Sequence, residues 1–101
     1  MMIEGSSLYQ KEKDLTEVVR KWLNSQQDIK ADKICDRYKK GIADFIVCVS
    51  GKYVAIELKA AKGRESPHQR IFIKDVIRAG GIGGTCYTLN EVKELVELAR
   101  R

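Results

Sequence analysis

The sequence predicts a single α/β domain with the element order α-β-β-β-α-β-α. Three observations support this fold class. Two strand-length apolar runs flank a short turn, three segments repeat apolar residues at helical spacing, and glycine pairs separate the later elements. With 101 residues the chain is of single-domain size. We therefore expect one domain over residues 1–101, of which residues 1–7 form a flexible N-terminal segment.

The first helix is predicted from about Leu8 to Ser25, with Ser7 as its N-cap. After it, alternation over Ile34–Tyr38 predicts a short strand. The apolar face of the helix consists of Leu15, Val18, Val19, Trp22 and Leu23.

Two strands, Asp44–Val49 and Lys52–Lys59, are predicted to pair as a hairpin across the two-residue turn Ser50-Gly51. Counting outward from that turn places Asp44 directly opposite Glu57. Alternation then gives the hairpin two faces. The apolar face, which must face the core, carries Phe45, Val47, Val49, Val54, Ile56 and Leu58. The other face carries Asp44, Ile46, Cys48, Tyr53, Ala55, Glu57 and Lys59.

The second half of the chain begins with a polar loop, Ala60–Glu65. A helix then starts at Ser66-Pro67, a serine cap followed by proline at the first helical position, and ends at Gly80-Gly81. A last strand is expected within Ile82–Thr88, followed by a helix that is capped by Thr88 or Asn90. The apolar faces of these two helices are Phe72, Ile73, Val76 and Ile77, and Val92, Leu95, Val96 and Ala99.

Composition excludes several classes of protein. No run approaches the roughly 18 apolar residues of a membrane span, and the N-terminus lacks a secretion signal, so the expected compartment is the cytoplasm. Cys35, Cys48 and Cys86 are odd in number and far apart, which predicts small buried thiols rather than a zinc site or a disulfide. The net charge of +5 is compatible with a phosphate-rich partner, and no membrane or organic cofactor is expected.

The hairpin carries the strongest indication of chemistry. Directly opposed strand residues have Cβ atoms about 4.5–5.5 Å apart, which suits two carboxylates that share one divalent cation and would otherwise repel. Asp44 and Glu57 would bind Mg²⁺ or Mn²⁺, and the ammonium of Lys59 would stabilise charge that develops on a phosphate. The competing interpretation is an ordinary cross-strand salt-bridge ladder on a solvated face.

Two further residues are candidates for the same site. Glu12 lies on the apolar stripe of the first helix and needs a partner there, although an acid in a first turn is also favoured by the helix dipole. Gln69 heads the stripe of the second helix, although Ser66 and Gln69 also fit a capping box. His68 is interpreted as a surface or phosphate-contacting residue rather than a catalytic base.

Three segments together resemble the virus-type replication-repair nuclease (VRR-NUC) domain of the PD-(D/E)XK nuclease superfamily. They are Gly41-Ile42-Ala43-Asp44, Ile56-Glu57-Leu58-Lys59 and Ser66-Pro67-His68-Gln69. The resemblance implies a restriction-endonuclease-like core, with a mixed central sheet flanked by helices. It further implies a metal site formed by Asp44, Glu57 and the main-chain carbonyl of Leu58, with Lys59 as the catalytic lysine and Gln69 and Glu12 as further catalytic residues.

The expected function is a Mg²⁺- or Mn²⁺-dependent DNA endonuclease encoded by a bacterium or a phage. Two symmetric cuts in branched DNA need two sites, which predicts a homodimer. The resemblance implies that its substrate is a Holliday junction and that it acts in DNA repair. The alternatives are a single-strand, flap or restriction-type nuclease of the same fold, or a non-catalytic nucleic-acid-binding module. The residues expected to contact the DNA backbone are Lys39, Lys40, Lys62, Arg64, Arg70 and Lys74.

Overall fold

The computed structural model describes residues 5–34 and 41–101, in which three helices pack on a four-stranded mixed sheet. The strand order is β1-β2-β3-β4, with antiparallel pairing among the first three strands and parallel pairing of β4 with β3. The predicted α/β class and element order are confirmed. In chain order the elements are α1 (Glu12–Asn24), β1 (Ile29–Lys33), β2 (Phe45–Val49), β3 (Lys52–Leu58), α2 (Pro67–Arg78), β4 (Ile82–Cys86) and α3 (Leu89–Arg100).

The main core lies between one face of the sheet and the helices α1 and α3. Its members come from the apolar stripes of both helices and from alternate residues of the strands, as the hairpin pattern predicts. A smaller cluster on the opposite face joins α2 to the sheet through Ala43, Ala55 and Ile73. The largest fully buried apolar side chains are Phe45, Leu15, Leu23, Ile56 and Leu58.

The hairpin has the predicted register, because Val49 pairs with Lys52 and the ladder continues in step to Phe45 and Ile56. Its turn uses two residues with positive φ, Ser50 at 50° and Gly51 at 86°. Two successive positive φ values are the requirement of a type I′ turn, whose twist matches that of the strands. The turn therefore fixes which residues of the two strands stand opposite each other.

Both later helices begin as the sequence predicts. In α2 the Ser66 hydroxyl accepts from the Gln69 N–H at 3.2 Å, and the Gln69 side-chain oxygen accepts from the Ser66 N–H at 2.8 Å. This is the reciprocal capping box, and it fixes the direction in which α2 leaves the loop. In α3 the cap is Thr88, the first of the two candidates, whose hydroxyl accepts from the Glu91 N–H at 3.1 Å.

The start of α1 differs from the prediction. The helix begins at Glu12 and not at Leu8, and its N-cap is Lys11, which provides no side-chain hydrogen bond, so Ser7 is not the cap. The preceding segment is non-helical because it is used in tertiary contacts. The carbonyl of Tyr9 accepts from the Ala61 N–H at 2.8 Å, and the Tyr9 side chain packs on the core. The chain at Tyr9 thus lies against the loop that follows β3.

The first strand also lies elsewhere than predicted. Strand β1 spans Ile29–Lys33, whereas the predicted strand Ile34–Tyr38 lies outside the described residues except for Ile34, which is not in a strand. Strand β1 forms one edge of the sheet, so only Ile29 and Ala31 pack on the core. Its other residues are exposed and charged, and with so few apolar residues the sequence pattern did not predict a strand here.

The cysteine prediction holds at one of the two described positions. Cys86 is buried, and burial raises the pKa of its thiol to about 12. Cys48 is exposed, contrary to the prediction, because it points to the sheet face on which α2 covers β3 and β4 but not β1 and β2. Cys35 lies outside the described residues. In the described part of the chain no helix has the length and apolar character to cross a bilayer.

Candidate metal centre and active site

Asp44 and Glu57 meet at the open end of the hairpin. Asp44 directly precedes β2, and the register of the ladder, continued by one residue, places it opposite Glu57 near the end of β3. The Oδ2 atom of Asp44 accepts from the main-chain N–H of Leu58 at 2.8 Å. This hydrogen bond holds the Asp44 carboxylate against β3, directly beside Glu57.

Glu57 is the one buried charged residue in the described part of the chain, with 0% of its surface exposed. Both of its carboxylate oxygens are buried, and no hydrogen-bond donor of the described residues reaches them. A salt-bridge ladder on a solvated face would expose these oxygens to water, so the structure argues against that interpretation. An unpaired buried carboxylate is costly, so its two oxygens are suited to bind a cation.

The electrostatics of Glu57 follow from this environment. Burial, together with the close approach and negative charge of Asp44, raises its pKa to about 9. The charge of Lys59 opposes this shift, and the charge of Glu12 adds to it. The two carboxylates are thus held together in a buried environment that screens their mutual repulsion poorly. A divalent cation between them would attract both carboxylates and so offset this repulsion.

The donor set fits Mg²⁺ or Mn²⁺, which prefer oxygen ligands and retain several waters. Asp44 and Glu57 supply carboxylate oxygens. In a β-strand the N–H and C=O of one residue point to the same neighbour, so the Leu58 carbonyl follows its N–H toward Asp44. Within residues 5–34 and 41–101, no three side chains of the His, Cys, Asp and Glu types converge on one point, so the remaining ligands would be water or substrate oxygens.

Of the other three predicted site residues, Lys59 and Glu12 act on Glu57 through their charges, and Gln69 lies at the start of α2. Lys59 follows β3 directly, and its main-chain N–H donates to the Cys86 carbonyl at 3.1 Å, which extends the ladder by one residue. Its charge acts on Glu57. Glu12 is exposed at the start of α1, and acts on Glu57 only as a charge. Gln69 is half-buried and uses its side-chain oxygen in the capping box, which leaves its amide NH₂ for other contacts.

The start of α2 is held beside the hairpin by a close backbone contact. Gly41 has a φ of 87°, and a Cβ atom placed on it would lie 2.5 Å from the Cβ of His68 and 2.8 Å from its carbonyl carbon. Only glycine allows both the left-handed backbone and this approach. Because Gly41 lies three residues before Asp44, this contact fixes the distance between the candidate metal centre and α2.

We expect Gly41→Ala to lower the free energy of unfolding by about 2–4 kcal/mol, since left-handed strain and a backbone clash add. Gly51→Ala is the matched control, because Gly51 has nearly the same φ, 86°, but nothing within 4 Å of the added atom. That variant should lose only about 1–2 kcal/mol. Urea unfolding of the two variants measures the difference, and equal losses would show that the contact with His68 is unimportant.

Two residues near the site were not predicted from the sequence. Lys33, at the end of β1, places its Nζ 3.5 Å from Oδ1 of Asp44, so among the described residues it is the nearest cation to that carboxylate. Glu65 accepts from the Thr85 hydroxyl at 2.5 Å and from Arg70 at 3.3 Å, and these bonds lower its pKa. Lys33 was not predicted because its strand, β1, was not predicted. Glu65 was not predicted because it lies in a loop, where no periodic pattern of residues distinguishes one acid from another.

The basic residues predicted to contact DNA fall in two described places. Lys62 and Arg64 are exposed in the loop after β3, beside an open groove of about 580 Å³ that is also lined by Tyr87. Arg70 and Lys74 are exposed on α2, four residues apart and hence on one face of that helix. Lys39 and Lys40 lie outside the described residues.

Comparison with known proteins supports the fold. A solved structure described as a "VRR_NUC domain" superposes with a TM-score of 0.70, covering 85% of this chain and 94% of that chain at 17% sequence identity. No family model matches the sequence, and no curated protein does. At this identity the similarity shows a shared fold, so the resemblance seen in the sequence is confirmed at that level.

Proposed function

We propose that this chain is a divalent-metal-dependent DNA endonuclease that hydrolyses phosphodiester bonds. The observation that carries the proposal is the fully buried Glu57, whose two oxygens have no donor and which stands beside Asp44 at the end of the hairpin. The VRR_NUC-like fold supports a nuclease-type function. A protein that only binds nucleic acid gains nothing from a buried pair of like charges that faces a polyanion.

Each site residue has a separate role in this proposal. Asp44, Glu57 and the Leu58 carbonyl would hold Mg²⁺ or Mn²⁺. When bound, the cation supplies Lewis-acid chemistry: it polarises the phosphodiester and lowers the pKa of water. Lys59 stabilises the negative charge that develops on the phosphate. Gln69, at the start of α2, and Glu12, whose charge acts on Glu57, would orient substrate and water.

The basic side chains would position the DNA backbone without reading its sequence. Lys62, Arg64, Arg70 and Lys74 are exposed on the loop and helix that follow the site. Such contacts are to phosphate and carry no base information. We therefore propose selectivity for DNA structure rather than for sequence.

We further propose that the active form is a homodimer that cuts branched DNA, with four-way junctions as the preferred substrate. One site cuts one strand, and a two-fold axis between two copies would present two sites to two strands of a junction. The single chain supplies one Asp44–Glu57 pair. This part of the proposal can fail while the nuclease proposal stands.

The test is cleavage of labelled four-way junction, flap, single-stranded and linear duplex DNA by the purified chain, with Mg²⁺, Mn²⁺ or EDTA. We expect cleavage that requires the cation and is at least about tenfold faster on the junction. Light scattering should give twice the 11.5 kDa of one chain. Equal rates on all substrates, or a monomer, would contradict junction selectivity. Cleavage that persists in EDTA would contradict the metal site.

A further inference from the structure

The loop that follows β3 packs on the side chain of the catalytic lysine. A Cβ atom placed on Gly63 would lie 3.3 Å from both Cβ and Cδ of Lys59, and 3.3 Å from the Ala60 carbonyl oxygen. A side chain at Gly63 would therefore be accommodated only if the Lys59 stem shifted by a few tenths of an ångström, and the Gly63 backbone forms one wall of the space that this stem occupies. The position of this wall limits the rotamers that Lys59 can adopt.

Two side chains from the end of β4 hold the loop in place. The Tyr87 hydroxyl donates to the Gly63 carbonyl oxygen at 2.9 Å, and this bond is partly buried. The Thr85 hydroxyl donates to Glu65 at 2.5 Å, two residues further along the loop. The loop is thus fixed on both sides of its contact with Lys59. Its one internal turn bond, from the Gly63 N–H to the Ala60 carbonyl at 2.9 Å, would not by itself fix it against the sheet.

We propose that Tyr87 is a positioning residue for Lys59, acting through Gly63. It does not touch the metal ligands. Its hydroxyl keeps the loop backbone against the Lys59 stem, and this contact limits where the ammonium can lie. This inference rests on the proposed nuclease function, because it assigns Lys59 a role in the reaction.

Tyr87→Phe removes only the hydroxyl and keeps the ring. We expect kcat for cation-dependent DNA cleavage to fall about tenfold, with KM within about twofold of wild type, since small misplacement of a catalytic group lowers rate without weakening binding. The matched control is Tyr53→Phe, a half-exposed tyrosine on β3 that lies away from the loop. This control should match wild type in both constants.

A second variant approaches the same contact from the loop. In Gly63→Ala the hydroxyl of Tyr87 is retained, but the added methyl pushes against the Lys59 stem. We expect a similar fall in kcat. If Gly63→Ala lowers kcat and Tyr87→Phe does not, the packing matters but Tyr87 is not the residue that maintains it, and the proposal is overturned.

A measurement that needs no activity separates this inference from the proposed function. NMR relaxation of the Lys59 Cε group, in the protein without added cation, should show a lower order parameter in Tyr87→Phe than in wild type or Tyr53→Phe. If wild type does not cleave DNA, the nuclease proposal fails, while a changed order parameter still supports the coupling of Tyr87 to Lys59. An unchanged order parameter, or an unchanged kcat in a wild type that cleaves, overturns the inference.

Discussion

Lys59→Met is expected to reduce cation-dependent DNA cleavage by about 10³-fold, because it removes the charge that stabilises the phosphate in the transition state. Methionine keeps an unbranched stem against Gly63, so the loop should retain its place. Single-turnover kinetics on the preferred substrate measure the loss. Lys21→Met, on the exposed side of α1, is the matched control and should cleave like wild type.

Asp44→Asn should cause a loss of similar size for a different reason. Asparagine can still accept the Leu58 N–H that Asp44 accepts at 2.8 Å, so the local backbone is retained while the ligand charge is lost. At pH values above about 9, where Glu57 is ionised, the variant should also be more stable than wild type without cation, since the like charge beside Glu57 is gone. Cleavage by both variants at the wild-type rate would remove Asp44 and Lys59 from the active site.

The second large effect concerns the stability of the cation-free protein as a function of pH. The pKa of Glu57 is about 9 in the folded chain against an ordinary value of 4.5. Between these values the folded chain binds one proton more than the unfolded chain, so the free energy of unfolding falls as pH rises. The stabilising contribution is complete below the lower value and lost above the higher one. We expect a fall of several kcal/mol over this window, with an upper limit of about 6 kcal/mol at about 1.36 kcal/mol per pH unit.

Divalent cation should reverse this trend, because it binds the ionised form of Glu57. Thermal unfolding with excess Mn²⁺ should show a stabilisation that grows with pH, reaching about 2.7 kcal/mol when the cation is at 100 times its Kd. Glu57→Gln removes the titrating group and should abolish both the fall and the response to cation. That variant should also be more stable than wild type at about pH 8 without cation, a trade of stability for function. A wild type and a Glu57→Gln variant with parallel pH profiles would refute this account.

The parts of the fold that could be predicted are those in which local chemistry and tertiary structure agree. The hairpin was predictable because Ser50-Gly51 demands a tight turn and both strands alternate cleanly. The start of α2 was predictable because Ser66 and Gln69 satisfy each other without help from the rest of the chain. In these segments nothing distant alters the local preference.

The errors arose where a distant contact decides the structure. Leu8 and Tyr9 have the apolar character of a helix start, but the Tyr9 carbonyl is used by Ala61, far along the chain. Strand β1 exists because β2 offers it a partner, and its own sequence is mostly polar. Because this strand was not predicted, the contact of its last residue, Lys33, with Asp44 was not predicted either.

The candidate site divides in the same way. The opposition of Asp44 and Glu57 follows from counting residues along a hairpin. The complete burial of Glu57 does not, because it depends on α2 packing over the second face of the sheet through Ala55 and Ile73. Burial distinguishes a pair of carboxylates that could bind a metal ion from a salt-bridge ladder on the surface. This burial could be recognised only from the tertiary structure.

The turn at Ser50-Gly51 has a consequence for how this chain can change during evolution. It lies five ladder pairs from the carboxylates, or about 17 Å, and both of its residues are exposed to solvent. Surface turns of this kind usually tolerate insertions and deletions. Here the length of the turn sets the alignment of Asp44 with Glu57, so gaining or losing one amino acid would move one acid to the opposite side of the sheet. An exposed site remote from the chemistry is thereby constrained in length as strictly as the ligands are in identity.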